Sequence, residues 1–153
     1  MSNQDQKTLE RISNLHPKLR EETSRIYDEI CEALTGRAMC RFTHTLRTNQ
    51  EQNDLYAQGR TKPGKIITNA NGGQSYHNYG LAVDIVLIID GKTASWDTKG
   101  DFDKDGKSDW QEIVAIFKRH GWEWGGDWKF TDYPHFKKTF GLSIADLQNG
   151  KRP

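Results

Sequence analysis

Residues 75–84 read Ser-Tyr-His-Asn-Tyr-Gly-Leu-Ala-Val-Asp, which sets His77 and Asp84 seven positions apart with the small residues Gly80 and Ala82 between them. Near the C-terminus, Asp132-Tyr-Pro-His135 adds a second imidazole and a further carboxylate. Together these segments supply two imidazoles, one metal-binding carboxylate and one carboxylate to spare. That is the donor set of a catalytic zinc site, where three protein ligands leave a position open for water and a nearby base activates it. A lone histidine in a small domain is usually a surface or core residue, so the reading rests on the combination.

Such a set needs particular elements to assemble it. On one straight strand, residues seven apart face opposite sides, so His77 and Asp84 demand a bend, which Gly80 and the loop at 69–74 can provide. Leu81 to Ile89 is rich in branched aliphatics and runs into Asp90-Gly91, a strong hairpin signal, which places Asp84 inside a central strand. Trp122 to Phe136 reads as a strand, a Gly125-Gly126 turn and a returning strand that brings in His135. Asp132 lies three residues ahead of His135, with Pro134 stiffening the approach. From there a carboxylate can stand near a metal without binding it, take a proton from the attacking water and pass it to the leaving amine. The plainer account makes Asp132 a turn residue.

The remaining chain reads as scaffold. Pro17 suits a first helical turn, and Leu19, Thr23, Ile26, Ile30 and Leu34 repeat at helical spacing until Gly36. Met39 to Thr45 alternates as a half-buried strand, Asn49 to Gln58 returns to helix, and Ile66-Ile67-Thr68 has the composition of a further strand. Trp110, Ile113, Val114 and Phe117 mark an amphipathic helix ending at Gly121, and the end from Leu142 to Pro153 reads as a short helix and tail. Trp122 and Trp124 share a face and belong to the core, whereas Trp128, after the glycine turn, can line a cleft. His16, His44 and His120 have no matched partners, and His120 before Gly121 suits a helix C-terminus. Helices segregated from hairpin-connected strands predict an α+β fold with a small antiparallel sheet and flanking helices.

Composition narrows the function. A chain of 153 residues with 34% hydrophobic residues suits one domain, taken to span residues 1–153. With 22 basic and 21 acidic residues mixed along it and a net charge of +1, no nucleic-acid groove or anionic-membrane surface is favoured. No apolar run is long enough to span a membrane, and the N-terminus lacks a secretory pattern, so the expectation is a soluble, cytoplasmic product that needs another route to any extracellular work. Cys31 and Cys40 imply no disulfide framework, and without a CxxC pair they are poor zinc candidates. Nothing in the chain demands more than a monomer.

A second metal motif stands apart from the first. Residues 101–112 fit the EF-hand loop pattern: oxygen donors at Asp101, Asp103, Asp105, Asp109 and Glu112, Gly106 at the sixth position, and the Lys107 carbonyl available at the seventh. The entering helix is missing, and Ser108 occupies a position usually apolar. The loop can therefore bind calcium, either gating activity or stabilising the fold, or it can be a solvated acidic turn in which Asp109 caps a helix.

Ser75-x-His77-x-x-Gly80-x-Ala82-x-Asp84, with a carboxylate three residues before a second histidine, resembles the VanY-type D,D-carboxypeptidase and L-alanyl-D-glutamate peptidase family of zinc enzymes. The blocks Leu46-Arg47-Thr48 with Gln52, residues 55–61, Trp124-Gly125-Gly126-Asp127-Trp128 and residues 132–136 extend the likeness from about residue 40 onward. The resemblance implies a hedgehog/D-Ala-D-Ala-peptidase-like zinc fold acting on bacterial peptidoglycan; with one domain over residues 1–153, no separate wall-binding domain is expected. It makes His77, Asp84 and His135 the zinc ligands and Asp132 the base. Arg47 would then bind a substrate carboxylate or polarise the scissile carbonyl, with Ser75 and Gln52 as secondary substrate contacts. Asp132 stands where many members carry Glu, which leans toward the L-alanyl-D-glutamate branch. The leading reading is an endolysin-like endopeptidase of that bond. A D-alanyl-D-alanine carboxypeptidase, or a non-catalytic zinc module as in hedgehog-type domains, stands as the alternative.

Overall fold

The computed structural model describes residues 4–153. Two helices, α1 (Gln6–Ile12) and α2 (Pro17–Ala33), lead into β1 (Ala38–His44) and α3 (Asn49–Ala57). A long loop then reaches β2 (Ala82–Ile89), β3 (Thr93–Ser95), α4 (Asp109–Arg119), β4 (Glu123–Trp124), β5 (His135–Lys137) and α5 (Ile144–Gln148). Every strand pair is antiparallel. β2 holds β1 along one edge from Asp84 to Ile89, while β5 and β3 share its other edge, at Ala82–Asp84 and Leu87–Ile89. β4 pairs β5 at the far side. The result is an α+β fold whose small open antiparallel sheet is flanked by helices.

Local chemistry explains these elements. In α2, Pro17 occupies the first turn, His16 accepts from the Lys18 amide, and Leu19, Thr23, Ile26, Tyr27 and Ile30 are buried along one stripe. In α4, Ser108 caps the start, and Trp110, Ile113, Val114, Ile116 and Phe117 are buried. α2 packs on α4, and between them and the sheet runs an aromatic chain. Tyr27 meets Phe42 edge-on at 5.5 Å, Phe42 meets Phe117 at 6.0 Å, and Phe117 stacks on Phe136 at 4.2 Å. Alternation along β2 sends Val83, Ile85, Leu87 and Ile89 into this core and leaves Asp84 on the opposite face. Truncating a residue such as Phe117 to Ala would cost about 3–5 kcal/mol.

Several expectations are corrected. Ile66 to Thr68 is not a strand: Ile66 and Ile67 are exposed, and the segment is held by Arg60, whose guanidinium donates to the Thr68 carbonyl at 3.0 Å. Branched composition alone mimics a strand here, where the segment pairs with no strand of the sheet. β4 has only two residues and gives way to a 3₁₀ turn at Gly125–Asp127 and an irregular return to β5. α1, which follows an Asp5 cap, has too short a repeat to stand out in sequence. The Asp90-Gly91 hairpin is as expected: both residues have positive φ (54° and 70°), and the Lys92 amide donates to the Ile89 carbonyl at 3.0 Å across them. His120 ends α4 as expected but is not partnerless: its Nε2 lies 2.6 Å from Glu29 on α2, a residue 91 positions away in the chain. Cys40 is buried in β1. Among the described residues no helix is long and apolar enough to cross a membrane.

Candidate metal centre

Strand register assembles the centre. Asp84 on β2 is directly opposite His44 at the end of β1 and His135 at the start of β5, so three neighbouring strands set these side chains in one row. His135 Nδ1 lies 3.0 Å from Asp84 Oδ1. His77 comes from outside the sheet, on the 3₁₀ turn Tyr76–Tyr79, and its Nε2 lies 3.2 Å from Asp84 Oδ2. The bend expected between His77 and Asp84 is made at Gly80, with φ +70°. A side chain at this glycine would put a Cβ 2.6 Å from the His16 amide nitrogen, which itself donates to the Gly80 carbonyl at 3.0 Å.

The His77 ring is held from behind. Its Nδ1 is 2.8 Å from the Thr45 carbonyl, so Nδ1 carries the proton and Nε2 keeps its lone pair. His77 is 3% exposed, and Nε2 is buried with no hydrogen-bond partner. Nε2 of His77, a carboxylate oxygen of Asp84 and a ring nitrogen of His135 all lie within 4.8 Å of one another. An orphaned buried nitrogen facing a carboxylate and a second imidazole fits a metal ion of the zinc type, which takes nitrogen and oxygen donors together. Burial opposes ionisation of Asp84, but His77 and His135 outweigh it and hold the carboxyl well below its usual range. The Asp84 carboxyl is therefore ionised near neutral pH.

Around this cluster lies a cleft of about 320 Å³ lined by Arg47, Ser75, Asp132, His44, Leu55 and Ile67 among others. Asp132 reaches it because Gly125 lets the chain fold back: the Asp132 amide donates to the Gly125 carbonyl at 2.9 Å, and a Cβ there would strike the Asp132 carbonyl oxygen at 2.2 Å. Partial burial, then the nearby Asp84 charge, push the Asp132 carboxyl upward, against the pull of His135 and His77. Arg47 places its guanidinium 3.8 Å from Asp84. Burial lowers its pKa, with Asp84 opposing, yet a guanidinium stays charged. Two bonds tie its backbone to the His77 turn: the Arg47 amide donates to the His77 carbonyl, and Asn78 donates to the Arg47 carbonyl, both at 3.0 Å.

The other expected contacts sit differently. Gln52 is 0% exposed and does not reach the cleft; its Oε1 accepts from Arg47 at 2.9 Å while its Nε2 donates to the Ala70 carbonyl at 2.8 Å. Ser75 lines the cleft and also accepts from the His77 amide at 3.2 Å. Trp128 packs against the His135 ring at 5.4 Å, with the Lys137 ammonium 4.8 Å above its own ring. His44, thought partnerless, is 4.0 Å from Asp84; burial and the Arg47 charge lower its pKa. Only its alternation on β1 hinted at this, because the partner strand is about forty residues away. Far along the chain, Asp101, Asp103, Asp105, Asp109 and Glu112 gather at the head of α4. There burial and mutual repulsion push Asp109 up to about 6 and Glu112 up to about 8.

Fold and centre together are those of a metallopeptidase: a cleft with a three-donor metal cluster, a further carboxylate and a fixed cation. Residues 68–138 match the family profile described as D-alanyl-D-alanine carboxypeptidase. The chain is 46% identical over 127 residues to the peptidoglycan L-alanyl-D-glutamate endopeptidase CwlK of Bacillus subtilis, covering 82% of this chain and 74% of that one. It is 37% identical over 114 residues to the L-alanyl-D-glutamate peptidase of Listeria phage A118, across 65% of this chain and only 37% of the phage protein's length. The crystal structure of the Serratia marcescens L-Ala D-Glu endopeptidase ChiX shares its fold, with a TM-score of 0.58, 23% identity and 88% of each chain covered. The chain belongs to this M15 family of D,D-carboxypeptidase and L-alanyl-D-glutamate peptidases.

Proposed function

We propose that this chain is a zinc-dependent endopeptidase that hydrolyses the L-alanyl-D-glutamate bond in the stem peptides of bacterial peptidoglycan. The observation that carries the chemistry is the orphaned Nε2 of His77, buried and directed at Asp84 and His135 beside a free carboxylate. Choice of bond is supported by the similarity to CwlK and to the phage enzyme, both named for that cleavage.

His77, Asp84 and His135 would hold the ion, which when bound supplies Lewis acidity and makes water nucleophilic near neutral pH. The chain's own residues do the rest. Asp132, its carboxyl raised above the ordinary range, takes the proton of the attacking water as the water oxygen bonds to the scissile carbonyl carbon. It then delivers that proton to the amine nitrogen as the C–N bond breaks. Arg47 supplies a fixed positive charge in the cleft, suited to the oxyanion or to the substrate's glutamate carboxylate. Gln52 holds the guanidinium in place, and Ser75 offers a hydroxyl at the cleft wall.

The test is mass spectrometry of purified peptidoglycan digested by the zinc-loaded protein, with chelated protein and Asp132→Ala as controls. Stem peptides with a new D-glutamate amino terminus support the endopeptidase. Loss of terminal D-alanine alone moves the assignment to carboxypeptidase, the activity in the family profile's description. Intact stems throughout would leave a non-catalytic zinc module.

A further inference from the structure

The acidic side chains at the head of α4 converge. One carboxylate oxygen each from Asp101, Asp103 and Asp109 lies within 4.8 Å of the others, and the same holds for Asp103, Asp105 and Glu112. Asp103 belongs to both groups and joins them into one acidic cluster. Calcium takes oxygen ligands at about 2.3–2.6 Å, so two ligands on opposite sides of one ion stand about 5 Å apart. The spread within each group of three is of that size.

Acidic clusters on a surface are common without an ion; burial distinguishes this one. Asp109 is 0% exposed, and its Oδ1 has no hydrogen-bond partner among the described residues. Buried Oδ2 of Asp103 and Oε2 of Glu112 are unpartnered too. None of the ion pairs among the described residues reaches any of the five carboxylates. Buried carboxylate oxygens facing one another without a counter-charge are costly, and a cation between them removes both the repulsion and the unmet acceptor capacity. Because every donor is a hard oxygen, the set suits calcium rather than a thiophilic metal.

The backbone supports the same reading. Gly106, at the sixth position, has φ +86°, and its amide donates to Asp101 at 2.9 Å. No helix enters the loop; other contacts brace it. The Asp109 amide donates to the Gly100 carbonyl at 3.0 Å, the Ser108 hydroxyl donates to the Thr98 carbonyl at 2.6 Å, and Asp103 lies so close to Gly36 that a Cβ there would come within 2.5 Å. Ser108 at the eighth position thus closes the loop on its own chain, where paired EF-hand loops would use an apolar contact.

We propose that residues 101–112 form a calcium site, with Asp101, Asp103, Asp105, Asp109 and Glu112 as carboxylate ligands and Lys107 contributing its backbone carbonyl. The ion fixes the start of α4. Trp110, next to Asp109, donates its indole N–H to the Tyr133 carbonyl at 3.3 Å, in the segment that carries Asp132 and His135. The site is independent of the peptidase reading and is tested by binding alone.

The experiment is calorimetric titration of the calcium-stripped, zinc-loaded protein with calcium chloride, together with melting curves and terbium luminescence sensitised by Trp110. A dissociation constant between about 10⁻⁶ and 10⁻³ M is expected, with sensitised terbium emission that calcium displaces. Melting temperature should rise by about 5 °C or more at saturating calcium. Glu112→Gln should abolish these responses while the calcium-free variant melts no lower than the calcium-free parent, which separates lost ligation from lost folding. Lys107→Ala, which keeps the carbonyl, should bind as the parent does. No heat, no melting shift and no sensitised emission up to about 10 mM calcium, beyond the weakest natural sites, would overturn the proposal. Undiminished binding by Glu112→Gln would overturn it equally.

Discussion

The Arg47 guanidinium donates to Oε1 of Gln52 over 2.9 Å, and Gln52 is wholly buried. The amide's other end donates to the Ala70 carbonyl, so Gln52 links α3, the loop before the His77 turn and the cleft's cation. Gln52→Ala should leave the Ala70 carbonyl without that donor, costing about 1–3 kcal/mol in urea unfolding. Misplacing Arg47 should also lower kcat/KM by about tenfold or more. An activity equal to the parent's at temperatures where both are folded would show that Arg47 is positioned without Gln52.

Asp132 lies in the cleft but outside the three-donor cluster. Asp132→Ala should reduce peptide release by about 10²–10⁴-fold, while zinc content by elemental analysis stays at the parent's level. Loss of zinc along with activity would instead make Asp132 a ligand.

His77 is the opposite case. His77→Ala should lose zinc and, with it, the melting increment that zinc gives the parent, because binding energy at a site formed only in the folded state is folding energy. Equal melting increments in parent and variant would place the ion elsewhere.

Gly80→Ala tests the bend. Its φ of +70° disfavours a side chain, and the new Cβ would meet the His16 amide nitrogen at 2.6 Å. The left-handed conformation alone costs about 1–3 kcal/mol, and shifting the turn moves His77, so weakened zinc affinity should accompany the lower melting temperature. A variant with parental stability and zinc affinity would refute the close approach.

The acidic loop gives a pH dependence. Glu112 is pushed up to about 8 from 4.5, and Asp109 up to about 6 from 3.8, by burial and like charges. A carboxyl whose folded pKa is raised holds its proton more tightly in the native state. Its contribution to stability is therefore full below the unfolded value and is lost as pH rises through the folded one. In a calcium chelator, melting temperature should fall between about pH 5 and 8, and Glu112→Gln should flatten the part between pH 6 and 8. A calcium-free parent that gains stability over that range, matched by the variant, would show that these carboxyls do not repel as the geometry indicates.

The candidate site residues could be read from the chain because their chemistry is local. His77, Asp84, Asp132 and His135 stand in short motifs, and Gly80 marks the bend by being the residue that tolerates it. Helices α2 and α4 and the β2–β3 hairpin could be read as well, since periodicity and turn chemistry are properties of neighbouring residues. Position across the sheet is not local. His44 joins the row of Asp84 and His135 only because β1, β2 and β5 pair in that register. Gln52 became a buried support for Arg47, and Ile67 a cleft-lining residue in place of a strand residue, through contacts that no period encodes. The acidic motif likewise showed which oxygens were available. Which of them end up buried without a partner was decided by packing at the head of α4, where desolvation depends on the whole surrounding fold.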